Sequence, residues 1–203
     1  MKLRPFIVIA AAAIAAASSL AWADPNFGHF IGKFVAEFGD DGRKVTLIEP
    51  YAFVDPTGEE WNVPDGYKTD GASVPAVLWA LYPPFTGSYR SAAVIHDYYC
   101  DTKQKSWRDT HKVLYYAMRA ADVEEKTAKI MYVGVYLFGP RWGPGTAPGQ
   151  RSAAPTASPE QQEAMVKELK DFVENENPDL DSLVAEAKRM SVSPAGPLRK
   201  ATE

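Results

Sequence analysis

The spacing of hydrophobic positions changes along this chain, and each spacing predicts a kind of element. Residues 45–54, VTLIEPYAFV, are β-branched and aromatic and predict a strand. Asp55-Pro56-Thr57-Gly58 carries turn chemistry, and EEWNV at 59–63 predicts a return strand, so the two form a β-hairpin. Pro64-Asp65-Gly66 is a further turn, and the aromatic segment from Phe27 to Phe38 is expected to pair with the hairpin.

Past residue 67 the spacing becomes helical. Ser73 predicts the cap of a short helix with Pro75 in its first turn, closed by Pro83-Pro84. Ser88 predicts the cap of a second helix reaching about Asp101, and the loop TKQK follows. Ser106 with Asp109 three residues on is a capping-box pattern. It opens a helix to about Ala121 whose buried stripe is Val113, Leu114, Ala117, Met118 and Ala121. A further helix runs from about Glu124 to Phe138, where Gly139-Pro140 stops it.

Residues 143–158, GPGTAPGQRSAAPTAS, have the composition of a flexible linker. Two amphipathic helices are expected beyond it. One starts at Ser158-Pro159 with Met165, Leu169, Phe172 and Val173 on one face. The other starts at Asn177-Pro178 with Leu180, Leu183, Val184 and Ala187. The fold class expected is α+β: a small N-terminal β-hairpin or sheet on a mainly helical core over 24–143, a linker over 144–158, a C-terminal helical hairpin over 159–190 and a disordered tail over 191–203. The hairpin's charged outer faces suit docking on the core or on a protein partner.

The first residues read differently. Lys2 and Arg4 precede an apolar run from Phe6 to Ala17, and Ala21-Trp22-Ala23 offers an A-x-A cleavage site. This is the pattern of a secretory signal peptide over 1–23, which places the mature chain in the periplasm or outside the cell. After cleavage the chain would not be an integral membrane protein.

Composition narrows the function. Hydrophobic residues make up 46% of the chain and aromatics 12%, enough for a real core. Removing Lys2 and Arg4 takes the net charge from −4 to −6. A chain this acidic is poorly suited to nonspecific nucleic-acid binding or to anionic lipid. The single cysteine, Cys100, rules out an internal disulfide framework and reads as a small buried hydrophobe.

The candidate chemistry lies in AAVIHDYYC, residues 92–100. Ionisable groups on a core-facing helix are costly to bury unless paired or ligated. His96 falls late in its helix, and Asp97 and Asp101 oppose the helix dipole there, so a positive partner is expected. His111 shares a helix face with Leu114, Tyr115 and Met118. The loop between the two helices is short, so the helices are expected to be antiparallel neighbours that bring His96 to His111. Asp97, and Asp70 from TDGAS, are candidates to close the group. Three roles fit these residue types. His96, Asp97 and His111 suit general-base catalysis on water. The two imidazoles with carboxylates suit zinc. Asp70, Asp97 and loop carbonyls suit calcium. Asp109 is accounted for by its cap, Asp101 by the helix end, and His29 has no visible partner; Trp79, Trp107 and Trp142 read as packing residues.

The stretches VPDGYKTDGASVPAVLWAL (63–81), PPFTGSYRSAAVIHDYYC (83–100) and WRDTHKVLYYAMRAADV (107–123) resemble a bacterial and phage family, domain-of-unknown-function 1353, over about residues 45–143. The resemblance implies a hairpin followed by helices and a phage-like origin, but no established activity. A looser likeness is to the His-Asp helix of phospholipase A-two enzymes. It implies His96 as the water-activating base and Asp97 as a calcium ligand. This chain departs from that pattern by carrying His111 where an aspartate is expected, and by lacking the glycine-rich calcium loop.

Two functions follow as expectations. One is an exported hydrolase acting on a cell-envelope substrate, lipid or peptidoglycan, through His96 and Asp97. The alternative is a non-catalytic envelope binding or structural module. Burial of the imidazoles separates them: an open pocket favours chemistry, a sealed network favours the module.

Overall fold

The computed structural model describes residues 27–40, 44–70, 73–79, 88–150 and 157–192. The signal-peptide pattern, the Pro83-Pro84 stop, the middle of the linker and most of the tail lie outside those residues. The fold is α+β. Among the described residues, six short strands form two antiparallel sheets. The first has the order β1 (His29–Ile31), β4 (Tyr51–Val54), β5 (Glu60–Val63), and the second has β2 (Ala36–Phe38), β3 (Val45–Leu47), β6 (Lys68–Thr69). Phe53 faces Phe30 on one side and Trp61 on the other, which fixes the register of the first sheet.

The predicted hairpin is present as β4 and β5. Its turn is held by Asp55, whose Oδ1 accepts from the Thr57 amide at 2.8 Å and whose Oδ2 accepts from Trp61 Nε1 at 3.0 Å. The aromatic segment before it pairs as expected, β1 with β4 and β2 with β3. One expectation is corrected. Residues 45–54 form two strands in different sheets, because Pro50 has no N–H for a ladder and the chain turns there between sheets.

The helical part comprises α1 (Ala76–Trp79), α2 (Arg90–Thr102), α3 (Trp107–Ala120), α4 (Glu125–Phe138), α5 (Pro159–Glu176) and α6 (Leu180–Val192). α4 is buried around its whole circumference from Ala128 to Phe138, a stretch that is apolar except for Lys129 and the two tyrosine hydroxyls. It lies at the centre, packed by α3 on one side and by α5 and α6 on the other. α2 packs on α3 and on strands of both sheets. Gly134 lets α1 approach α4, since a Cβ there would fall 2.5 Å from Leu78 Cδ1.

The helix signals are met with two corrections. Ser106 caps α3, accepting from the Asp109 amide at 3.1 Å, and Ser158 with Gln161 forms a full capping box on α5. Ser88 does not cap α2: the helix begins at Arg90 behind Tyr89, which is buried and makes no side-chain cap bond. Asn177 does not open the last helix but closes α5 in the left-handed region at φ 44°, and Asp179 caps α6 through the Ser182 amide. The C-terminal hairpin docks on the core, burying Leu169, Val173, Leu183 and Ala187. No helix among the described residues is long and apolar enough to cross a membrane.

Candidate functional site

α2 and α3 are antiparallel neighbours, and the seam between them brings the two histidines together. His96 Nε2 lies 2.9 Å from His111 Nδ1, and both side chains are 0% exposed. The outer nitrogen of His111, Nε2, lies 3.1 Å from the Pro140 carbonyl. A carbonyl only accepts, so Nε2 carries the proton. Burial first, and then the neighbouring His96, holds His111 well below the usual imidazole range. Gly139 sits against this ring; a Cβ there would lie 3.1 Å from His111 Nε2. Trp107 and Trp142 close the surroundings edge-on, at 5.5 and 6.3 Å between ring centroids.

Cys100 completes the group. It follows His96 by one helical turn, so its thiol falls on the same face, with Sγ 3.5 Å from His96 Nε2. Among the described residues, His96, Cys100 and His111 gather ligand atoms within 4.8 Å of one another. Burial, followed by the nearby Asp97 charge, pushes the Cys100 thiol well up, and the Ser73 hydroxyl bonds it.

Asp97 is buried beside this group rather than within it. The next residue along a helix is rotated by about 100°, which carries its carboxylate to the outer side of the His96 ring. Oδ2 accepts a short hydrogen bond from the Thr69 hydroxyl. Oδ1 lies 3.7 Å from His96 Nδ1 and has no hydrogen-bond partner. Asp97 also lines an open cleft of about 250 Å³ with Lys44, Lys68, Asp70, Ser73 and Asp101. Asp70 therefore stands on the cleft side and does not join the imidazoles. Asp101 accepts from the Tyr67 hydroxyl at 2.8 Å; burial comes first in raising its carboxyl.

A second cleft, of about 630 Å³, runs between the first sheet and the end of α2. Tyr51, Tyr98, Asn62, Gln104, Glu60 and Lys105 line it. Sequence reasoning missed this cleft, and it missed Cys100 as a member of the buried group. The i, i+4 spacing of His96 and Cys100 is the signal that reveals the latter. Thr69 and the Pro140 carbonyl carried no such signal, because only the fold brings them to α2 and α3.

Residues 45–135 match the family model described as "Protein of unknown function (DUF1353)", and the three motif stretches quoted above overlap that segment. Two relatives from Sinorhizobium fredii match. The uncharacterized protein y4jT is 44% identical over 119 residues, covering 57% of this chain and 35% of its own length. The uncharacterized protein y4iH is 40% identical over 131 residues, covering 62% of this chain and 53% of its own length. The chain thus spans about half or less of these curated relatives. No solved structure gives a significant match.

Proposed function

We propose that the domain is a non-catalytic binding module of the cell envelope rather than a hydrolase. The observation that supports this most is the sealing of both imidazoles: His96 and His111 are 0% exposed, and the inner nitrogens face each other at 2.9 Å. A general base must reach the proton of an attacking water, and His96 Nε2 is already turned to its neighbour. The same sealing argues against the phospholipase-like arrangement: His111 stands where the orienting aspartate is expected, and the other nitrogen of His96, Nδ1, is turned to Asp97 Oδ1 at 3.7 Å on a side chain that is 0% exposed.

The ligand surface in this reading is the 630 Å³ cleft. Tyrosine rings suit the apolar faces of sugars, and Asn62, Gln104 and Glu60 offer donors and acceptors for hydroxyl and acetamido groups. The chain's acidity argues against anionic lipid, so a glycan of the envelope is the proposed partner. Sedimentation with purified peptidoglycan tests this. We expect retention of the wild-type chain, at least a tenfold loss in Tyr98→Ala, and no release of soluble fragments. Fragment release that disappears in His96→Gln would restore the hydrolase, and absence of retention would contradict the module.

A further inference from the structure

We propose that His96 Nε2, Cys100 Sγ and His111 Nδ1 form the ligand set of a buried site for one thiophilic divalent first-row ion of the zinc class. This site differs from the metal set expected from sequence: Cys100 enters, and Asp97 and Asp70 leave the ligand shell. The inference stands whether or not the cleft binds a glycan.

The first support is the donor geometry. Zinc bonds of about 2.05 Å to nitrogen and about 2.3 Å to sulfur, set tetrahedrally, place nitrogen and sulfur about 3.6 Å apart and two nitrogens about 3.3 Å apart. Cys100 Sγ lies 3.5 Å from His96 Nε2 and 3.9 Å from its Nδ1, so the sulfur sits alongside the ring and must swing toward the Nε2 lone pair to share an ion. The two imidazole nitrogens, at 2.9 Å, need to part by a few tenths of an ångström.

The second support is the outer shell. A ligating histidine characteristically turns its other nitrogen to a carbonyl or a carboxylate. His111 Nε2 lies 3.1 Å from the Pro140 carbonyl, and His96 Nδ1 faces Asp97 Oδ1 at 3.7 Å.

The third support is an unsatisfied group. Asp97 Oδ1 is buried without a hydrogen-bond partner and lies 3.7 Å from His96 Nδ1. An ion between the rings supplies that partner. His96 then carries its proton on Nδ1, facing Asp97, and gives the Nε2 lone pair to the metal. The Cys100 thiol proton leaves to solvent as the sulfur–metal bond forms. A thiolate with two imidazoles selects zinc-like or copper-like ions and disfavours calcium and magnesium. Asp97 is a positioning residue in this scheme, held by Thr69.

The test uses the full chain, purified under reductant, stripped with chelator and titrated with cobalt(II) and zinc. We expect one equivalent of cobalt bound, with the visible absorption of a tetrahedral ion and a near-ultraviolet sulfur-to-cobalt band, and displacement by zinc. Cys100→Ala should keep its far-ultraviolet circular dichroism, lose the sulfur band and bind at least 100-fold more weakly. Asp97→Asn should retain the band but bind about 10–100-fold more weakly. Zinc-edge X-ray absorption of the wild-type protein needs no variant and should report one sulfur and two imidazoles. Failure of the folded wild-type chain to take up an equivalent would overturn the site. So would a sulfur band that persists in Cys100→Ala, or a shell without sulfur.

Discussion

Single side chains carry the sharpest consequences of this fold. Asp55 is 9% exposed and accepts from the Thr57 amide and hydroxyl, the Glu59 amide and Trp61 Nε1. Burial alone would raise its carboxyl, but these hydrogen bonds outweigh it and hold the carboxyl below its ordinary value. A depressed carboxyl contributes stability that is present above the unfolded value and lost as pH falls through the folded one. Asp55→Ala should therefore cost about 1–3 kcal/mol at neutral pH, chiefly by leaving the Trp61 indole N–H unmatched. Urea unfolding should show the gap between wild type and variant shrinking below about pH 4. Gly139 gives a second prediction. Its φ of −74° is open to any residue, yet an added Cβ would meet the Val135 carbonyl at 2.4 Å and the His111 ring. Gly139→Ala should destabilise by about 1–3 kcal/mol through that crowding. Thermal unfolding measures it, and an unchanged midpoint would mean that both the backbone at the end of α4 and the ring give way. At this scale the sequence revealed the meeting of His96 and His111, because helix spacing and a short loop are local information. It concealed the role of Cys100, since a lone thiol looks the same in a plain core as beside two imidazoles. It also led Asp70 astray: a turn aspartate near the motif in sequence lands on the cleft side in space.

Elements were legible where a local signal matched the packing. The Asp55–Gly58 turn, the Ser106 and Ser158 caps and the Gly139 stop all stand where residue chemistry places them. The failures share a cause: the deciding contact is long-range. Residues 45–54 read as one strand because β-branched and aromatic residues run through both ends of the stretch, but the two halves join different sheets. Tyr89, buried against the core, sets the start of α2 in place of the nearby Ser88 hydroxyl. The approach of α1 to α4 is likewise invisible in sequence. It rests on Gly134, where a Cβ would fall 2.5 and 2.9 Å from the methyls of fully buried Leu78. Gly134→Ala should cost about 1–3 kcal/mol. In a double-mutant cycle with Leu78→Ala, the pair should lose less than the sum of the singles by at least 0.5 kcal/mol. Strict additivity would place the strain elsewhere.

For the whole molecule, the C-terminal hairpin extends the core beyond the segment that the family model matches, which ends at residue 135. Leu169, Val173, Leu183 and Ala187 are sealed against it, and Lys129 of α4 bonds Asn177 at 2.8 Å between α5 and α6. Burying such side chains contributes about 1.5–3 kcal/mol for each large one, a substantial share of a typical domain's 5–15 kcal/mol. A chain ending at residue 150 should therefore lose cooperative melting and bind a hydrophobic dye, and a sharp melt near the full-length midpoint would show that the hairpin only decorates the surface. The central claim is that the two imidazoles form a closed pair inside this core, out of reach of bulk water. Ring ¹⁵N–¹H spectroscopy of the metal-free, histidine-labelled protein tests it most directly. The expected result is a His111 ring protonated at Nε2, its proton exchanging with solvent far more slowly than that of exposed His29. Ring protons of His96 and His111 that exchange as fast as those of His29 would contradict it.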